Sequence, residues 1–558
     1  GYDSALPMVF YWEDNNRNRL LVWASTQYNH GGASFGLFPR KKFDRDTLPL
    51  MEAYMARQLP DFEKKYPYDI WLLACYWDDQ EPDLELTDSI QAWNAKWKWP
   101  RIRTLGNPDL PFRLLKEKYG KQIPVLKGDI TGGWYQHPVS APDLLAQKFE
   151  ADRLLAEAEK WSTIAGMLKE AYEYPVQDLK RAWKALLYND EHSYGTSGYQ
   201  GRRVYETWMQ HRDWIEKAFG TAKRECKKAL QAITENIAAE EEKIVVFNSA
   251  SGKRTERILL KEEGKYCIAE VPEFGYLTLK QKDFLPCREE RKTMQEPPVI
   301  ENRYYRVTFS ENGSLQSVYD KELGRELLDP ENSYHGNEAV YTKDNHKSFS
   351  VPEKAVFEVV TEEGKITVNA KTQHRESGAE ILQSVSLAEH EKRIDIDNRM
   401  NHVRDMINSD RYARYLYYVF PFLVENSKRF CHLNGTVAEY AKDVTGHGTD
   451  VYMAANEWCC AQNKDYGVAL FLLDSQLVEF DHIHPDKTDF GNTGDGAQIF
   501  CYVANDWLQM HAAGGSHLHF RFRYAITSYA GDYKRAGIPQ MAERYANPVQ
   551  IVTIPLRT

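Results

Sequence analysis

Cysteine is scarce and unpatterned: eight residues, at 75, 226, 267, 287, 431, 459, 460 and 501, form no CxxC pair and keep no regular spacing. That excludes a thiolate zinc site or a disulfide framework as the organising device, and it leans toward a reducing, cytoplasmic interior. No run of about 18 apolar residues occurs, so no membrane span is expected. Long basic runs are missing too. Lys plus Arg number 71 against 81 Asp plus Glu, for a net charge of −10, which leaves nucleic acid without a phosphate-binding surface. Neither a G-x-x-x-x-G-K-[ST] phosphate loop nor a G-x-S-x-G nucleophile elbow is found. An initiator Met and a signal peptide are likewise lacking: the chain starts at Gly1 and runs directly into Leu6 to Trp12, an apolar segment that reads as a buried strand. The expectation is a fragment whose N-terminal part, with any targeting signal, precedes Gly1.

What is present is a globular chain of 558 residues, enough for three or four domains or two large ones. Hydrophobic residues at 42% and charged residues at 27% exclude disorder, collagen-like repeats and coiled coil. The excess is aromatic: 14 Trp, 34 Tyr and 23 Phe, many beside Asp, Asn, His or Gly. Such a mixture suits sugars, whose apolar ring faces stack on aromatics while their hydroxyls need polar partners. Large β-rich domains also consume aromatics.

Three regimes succeed one another along the chain. Residues 1–138 alternate short β-like runs (Pro7 to Trp12, Arg19 to Trp23, Asp69 to Tyr76, Ile123 to Lys127) with helical stretches (Leu48 to Tyr66, Ile90 to Trp97), a parallel α/β pattern. In that pattern functional residues follow the carboxyl ends of strands, which singles out Trp77-Asp78-Asp79 and Gly128-Asp129. Residues 139–242 change to a helical period, opening with a capping-box arrangement at Ser140 to Asp143. Leu154, Ala158, Trp161, Ala165 and Leu168 then recur at spacings of three and four, followed by two more such helices, which predicts a three-helix bundle. From 243 onward the chain reads β: a small region at 243–290, a linker at Pro286 to Pro298, and a large β-sandwich over 291–558. The alternation of Leu518, Phe520, Phe522 and Tyr524 with His517, His519, Arg521 and Arg523 is the clearest strand signal. The fold class is thus multidomain, α/β plus all-β: a partial α/β barrel, a three-helix bundle and C-terminal β-sandwich domains.

Several segments can carry chemistry. Asp190-Glu191-His192, at a helix end before a glycine-rich turn, offers carboxylate and imidazole to a divalent metal such as zinc, or is a solvated helix C-terminus. Asp78 and Asp79, beside Trp77, could hold a proton-donating acid, or belong to an acidic surface loop that continues through Asp83 and Glu85. Gly128-Asp129 through Trp134-Tyr135, and Gln27-Tyr28-Asn29-His30-Gly31, could be sugar platforms or structural turns. Two His-x-His pairs, His482/His484 and His517/His519, put imidazoles on one strand face, although strand alternation alone accounts for the second.

Taken together these segments resemble glycoside hydrolase family 38, the metal-dependent retaining α-mannosidases. Phe10-Tyr11-Trp12-Glu13 with Arg19 to Trp23 is similar to a barrel segment of the family. Leu186 to Ser197 is similar to its "HHDAITGT" turn in the bacterial variant written "DEHTWGA". Val245-Val246-Phe247-Asn248 resembles "VFNPLSW", and Ile300-Glu301-Asn302 through Tyr319-Asp320-Lys321-Glu322 resembles "LENEFYRVTFDEDGSIxSLYDKE". The matches run in the family's order over nearly the whole chain.

The resemblance implies a retaining glycoside hydrolase acting on α-mannosides or related glycosides of oligosaccharides, with a large sandwich of galactose mutarotase-like kind. It implies Asp78 as acid/base, with Asp79 second. Substrate contacts would come from Tyr28, His30, Asp129, Trp134, Tyr135 and Glu191. One zinc ion would take a ligand from Asp190 or His192. The family's nucleophile and remaining ligands are expected before Gly1, leaving the metal site incomplete and these residues inactive alone. A carbohydrate substrate is the expected partner, and a homo-oligomer is compatible with the sequence. The alternatives are a non-catalytic carbohydrate-binding protein on the same architecture, or a glycosidase or lyase of other specificity.

Overall fold

The computed structural model describes residues 6–14, 16–24, 47–73, 75, 86–130, 138–190, 202–238, 241–342, 347–403, 414–433, 435–440, 442–444, 452–483, 496–505 and 519–555. The chain forms two compact units, one made of Gly1–Ile130 with Lys442–Gly448, the other of the remainder.

The first unit is α/β. Its strands β1 (Val9–Glu13), β2 (Arg19–Trp23) and β3 (Val125–Lys127) make a sheet in the order β2-β1-β3. β1 and β3 are parallel, as the alternation of strand and helix predicts, but β1 and β2 form an antiparallel hairpin. The reason is local: the Asp14 carboxylate accepts the backbone N–H groups of Asn16 and Asn18, and Arg17 sits at φ 66°, which turns the chain back. The run expected as a strand at Asp69 to Tyr76 forms none among its described residues. Ile70, Trp71 and Leu73 instead pack as irregular chain against the unit's two apolar clusters. One cluster joins helices α1 (Thr47–Lys65) and α2 (Leu86–Lys96) through Met51, Met55, Ile90 and Trp93. The other places Leu115 of α3 (Asp109–Tyr119) against Val9, Tyr66 and Ile123.

The second unit begins with the three-helix bundle: α4 (Pro142–Leu168), α5 (Val176–Asn189) and α6 (Arg202–Thr234). Its seam is the expected one, with Ala158, Trp161, Ala165, Leu179, Leu186, Ile215, Ala222 and Ile233 buried, while Leu168 at the end of α4 lies exposed. The capping box expected at Ser140 does not form. Ser140 belongs to a 3₁₀ turn, Ala141 precedes the helix without a side-chain cap, and Pro142 starts it, a position where proline's missing N–H costs nothing.

Strand β4 (Lys243–Asn248) lies between Gly275–Lys280 and the last strand of the chain, Gln550–Ile554. Val245, Phe247 and Ile554 point into the bundle's core. The segment read as a linker, Pro286 to Pro298, contains a strand, Glu289–Met294, that pairs with Val356–Glu362 at the edge of a ten-stranded sheet. Its exposed, charged side chains blunt that edge. Across the sandwich a five-stranded sheet runs in the order Glu338–Thr342, Tyr415–Phe420, Ile499–Asn505, Leu477–Phe480, Met453–Ala454. The alternation seen at 520–524 is real: Phe520, Phe522 and Tyr524 are buried, and His519 and Arg521 face outward. No helix among the described residues is long and apolar enough to cross a membrane.

Candidate functional site

The expected site residues fall in both units. In the first, the carboxyl ends of the parallel strands β1 and β3 come together. Glu13 closes β1 opposite Arg19 on one side and Lys127 on the other, and its buried carboxylate takes Lys127 Nζ at 2.6 Å and Arg19 Nε at 2.5 Å. Hydrogen bonds from Lys127 and then Arg19 hold this carboxyl below the usual range. Glu13 is therefore a fixed anion rather than a proton donor. Next to it Trp12, 41% exposed, donates its indole N–H to Gly128 O at 2.8 Å.

Gly128 takes φ 96°, and the chain then presents Asp129, whose N–H donates to Asp443 O at 2.7 Å in a parallel bridge with Val444. A segment more than 300 residues away thus fixes the backbone of the one expected first-unit site residue that is described. Tyr28, His30, Asp78, Asp79, Trp134 and Tyr135 lie outside the described residues. Glu13, Lys127 and Asp443 escaped sequence reasoning. The first two could have been found as charges at the ends of paired apolar runs, whereas nothing in the sequence marks Asp443.

In the second unit Asp190 follows the last turn of α5, its N–H bonded to Leu186 O at 3.0 Å. The carboxylate meets Lys148 Nζ at 3.3 Å, and Lys148 also pairs with Asp152 at 2.9 Å. Burial is the largest influence on Lys148 and opposes its charge, but Asp152 and Asp190 outweigh it, so the ammonium is held more firmly than usual. On Asp152 burial dominates and raises the pKa, only partly offset by Lys148. Behind the turn, Asn189 is buried, with its Oδ1 3.0 Å from His211 Nδ1 on α6. The bundle seam thereby orients the residue just before Asp190. Glu191 and His192 lie outside the described residues.

Among the described residues no group of three or more His, Cys, Asp or Glu side chains is arranged to hold a metal ion. Of the histidine pairs, His519 Nδ1 lies 2.9 Å from Asn401 Oδ1, and His484 and His517 are outside the description.

Residues 300–481 match the family model described as the glycosyl hydrolases family 38 C-terminal domain. That match assigns a family 38 C-terminal domain to this third of the chain. Among solved structures, an alpha-mannosidase from Enterococcus faecalis V583 superimposes with a TM-score of 0.72 at 15% identity, covering 99% of this chain and 72% of that one. A glycosyl hydrolase family 38 protein from Enterococcus faecalis gives 0.70 at 14%, covering 98% and 72%. At these identities the likeness establishes the fold. A galactose mutarotase related enzyme from Lactobacillus acidophilus aligns over 42% of this chain and 98% of its own, at 11% identity and a TM-score of 0.25, too low to carry an argument. No curated protein matches the chain in sequence.

Proposed function

We propose that this protein is a member of glycoside hydrolase family 38, a metal-dependent retaining enzyme that cleaves α-mannosides or related glycosides of oligosaccharides. The observation that carries the reading is the family 38 match over residues 300–481. The α/β unit, whose paired strand ends gather carboxylates and an exposed indole, supports it.

In this reading Asp78, with Asp79 as second choice, gives its proton to the leaving oxygen and later takes one from water. A second carboxylate about 5 Å away forms the covalent glycosyl intermediate that retention requires. Trp12 and Asp129 suit the sugar itself, one by stacking and one by accepting from hydroxyls, together with Tyr28, His30, Trp134, Tyr135 and Glu191. A zinc ion, when bound, would grip sugar hydroxyls and so orient the ring. Asp190 fits that ion poorly, because Lys148 already occupies its carboxylate and repels a divalent cation. Of the two candidates at this position, Asp190 and His192, we therefore favour His192 as the ligand.

The test is hydrolysis of an aryl α-mannoside by the full-length protein, with the first-formed anomer followed by NMR. The expected product is the α anomer, and Asp78→Asn lowers kcat by about 10² to 10⁴. A β product, or binding of oligosaccharide with no turnover in zinc-supplemented buffer, would reject it; the second result assigns the chain a carbohydrate-binding role.

A further inference from the structure

Between α2 and α3 the chain runs through Trp97-Lys98-Trp99-Pro100-Arg101-Ile102-Arg103, a strap tied to the helix before it. The Trp93 indole N–H donates to Pro100 O at 2.8 Å. Asn94 Nδ2 donates to Ile102 O at 2.7 Å, and the Ile102 N–H returns to Asn94 Oδ1 at 3.0 Å. Both indoles are braced by neighbours: the Trp93 ring lies 5.9 Å from that of Trp97, and Lys96 Nζ stands 5.8 Å from the Trp97 centroid. Trp97 Nε1–H donates to Glu52 Oε1 of α1 at 2.8 Å, a carboxylate shared with Lys96 at 2.6 Å, and Trp99 meets Trp71 edge-on at 6.1 Å. Even so, Trp97 and Trp99 stay 44% and 52% exposed.

Leaving two indoles half in water on an ordered strap forfeits apolar burial that a repacking of the strap would recover. Two such indoles within three residues offer apolar ring surface to a flat partner. Lys98, Arg101 and Arg103 lie on the same strap, all exposed and without an ion pair among the described residues. On a chain of net charge −10 such a cluster attracts anions locally, against the field of the whole molecule. The strap is irregular rather than an amphipathic helix, which disfavours a lipid surface.

We propose that the Trp97–Arg103 strap is an accessory site for an anionic glycan, whose sugar rings stack on Trp97 and Trp99 while its phosphate or uronate groups pair with Lys98, Arg101 and Arg103. The exposed parts of the two indoles and the cations of Lys98, Arg101 and Arg103, all on one tied segment, meet both demands of such a chain. The choice of a sugar polymer over other anions rests on the proposed glycosidase reading. Binding is measured without turnover, so failure of hydrolysis leaves this test intact.

The experiment is isothermal titration of the full chain with phosphorylated mannan, the same mannan dephosphorylated, and vesicles of anionic phospholipid. The phosphorylated polymer binds about tenfold more tightly than the other mannan at low ionic strength, and the gap narrows as salt is added. Trp97→Ala with Trp99→Ala weakens both mannans about tenfold. Lys98→Gln with Arg101→Gln and Arg103→Gln abolishes the preference for phosphate alone. The second variant alters only exposed side chains, so it keeps the test decisive where the indole variant fails to fold. An unchanged preference for phosphorylated mannan in the charge variant, preference for the vesicles, or loss of a dimer in sedimentation with mannan binding intact would each overturn the proposal.

Discussion

At Gly313 and His374 single side chains, or the lack of one, decide local stability. Gly313 turns at φ 93°, and a Cβ there would lie 2.7 Å from Ala370 Cβ, so both the backbone and the space forbid a substituent. Gly313→Ala should cost about 1–3 kcal/mol in urea denaturation. His374 is buried, and its Nδ1 accepts the Ser377 N–H at 3.2 Å, a bond that protonation of that nitrogen would break. Burial holds its pKa below the ordinary histidine value, and the same holds for His390. The unfolded chain therefore takes its protons first as pH falls. The stability these imidazoles confer is complete above about pH 6.5 and is lost as pH drops toward their folded values. Thermal midpoints measured from pH 7.5 to 5 should show this decline, and His374→Gln should remove its share while leaving that of His390. The turn at Asn312-Gly313 was legible in the sequence, because Asn-Gly is a turn signal. The burial of His374 was not, since a lone histidine on an alternating strand reads equally well on either face.

Between elements, the most telling contact is a buried polar junction. Glu157 of α4 accepts the Ser249 hydroxyl at 2.5 Å and the amide of Gln550, whose Oε1 in turn accepts the Cys226 thiol of α6 at 3.3 Å. Burial, the largest influence, raises the Glu157 carboxyl, and pushes the Cys226 thiol up to about 12. Glu157→Ala strands the buried Ser249 hydroxyl and removes one acceptor from the half-buried Gln550 amide, and should cost about 2–4 kcal/mol, while Ser249→Ala should cost about 1 kcal/mol; paired denaturation curves check the difference. Helical spacing marked the bundle itself, because one apolar stripe per helix is a one-dimensional pattern. The junction could not be read that way, as it joins residues more than 300 positions apart. The hairpin of β1 and β2 and the strand hidden in the expected linker at Pro286 to Pro298 escaped for a related reason: pairing partners are set by turns and edges, not by composition.

For the molecule as a whole, the closing strand Gln550–Ile554 returns to β4 and delivers Ile554 to the bundle core, with Val552 packed beside it. Removing residues 549–558 should cost at least about 3 kcal/mol, from lost burial and a lost strand ladder, and lower the thermal midpoint of the second unit. Period and composition by themselves determined the sequence of regimes: alternating strand and helix, then a bundle, then sandwich, together with the family likeness. Those are local properties, written within a few turns or strands of each residue. Only the tertiary structure decided that Glu13 is locked between Arg19 and Lys127, that Asp443 pins Asp129, and that Lys148 occupies the Asp190 carboxylate. Each of these depends on which distant side chains meet, and electrostatic partnership falls off so steeply with separation that no reading along the chain can supply it.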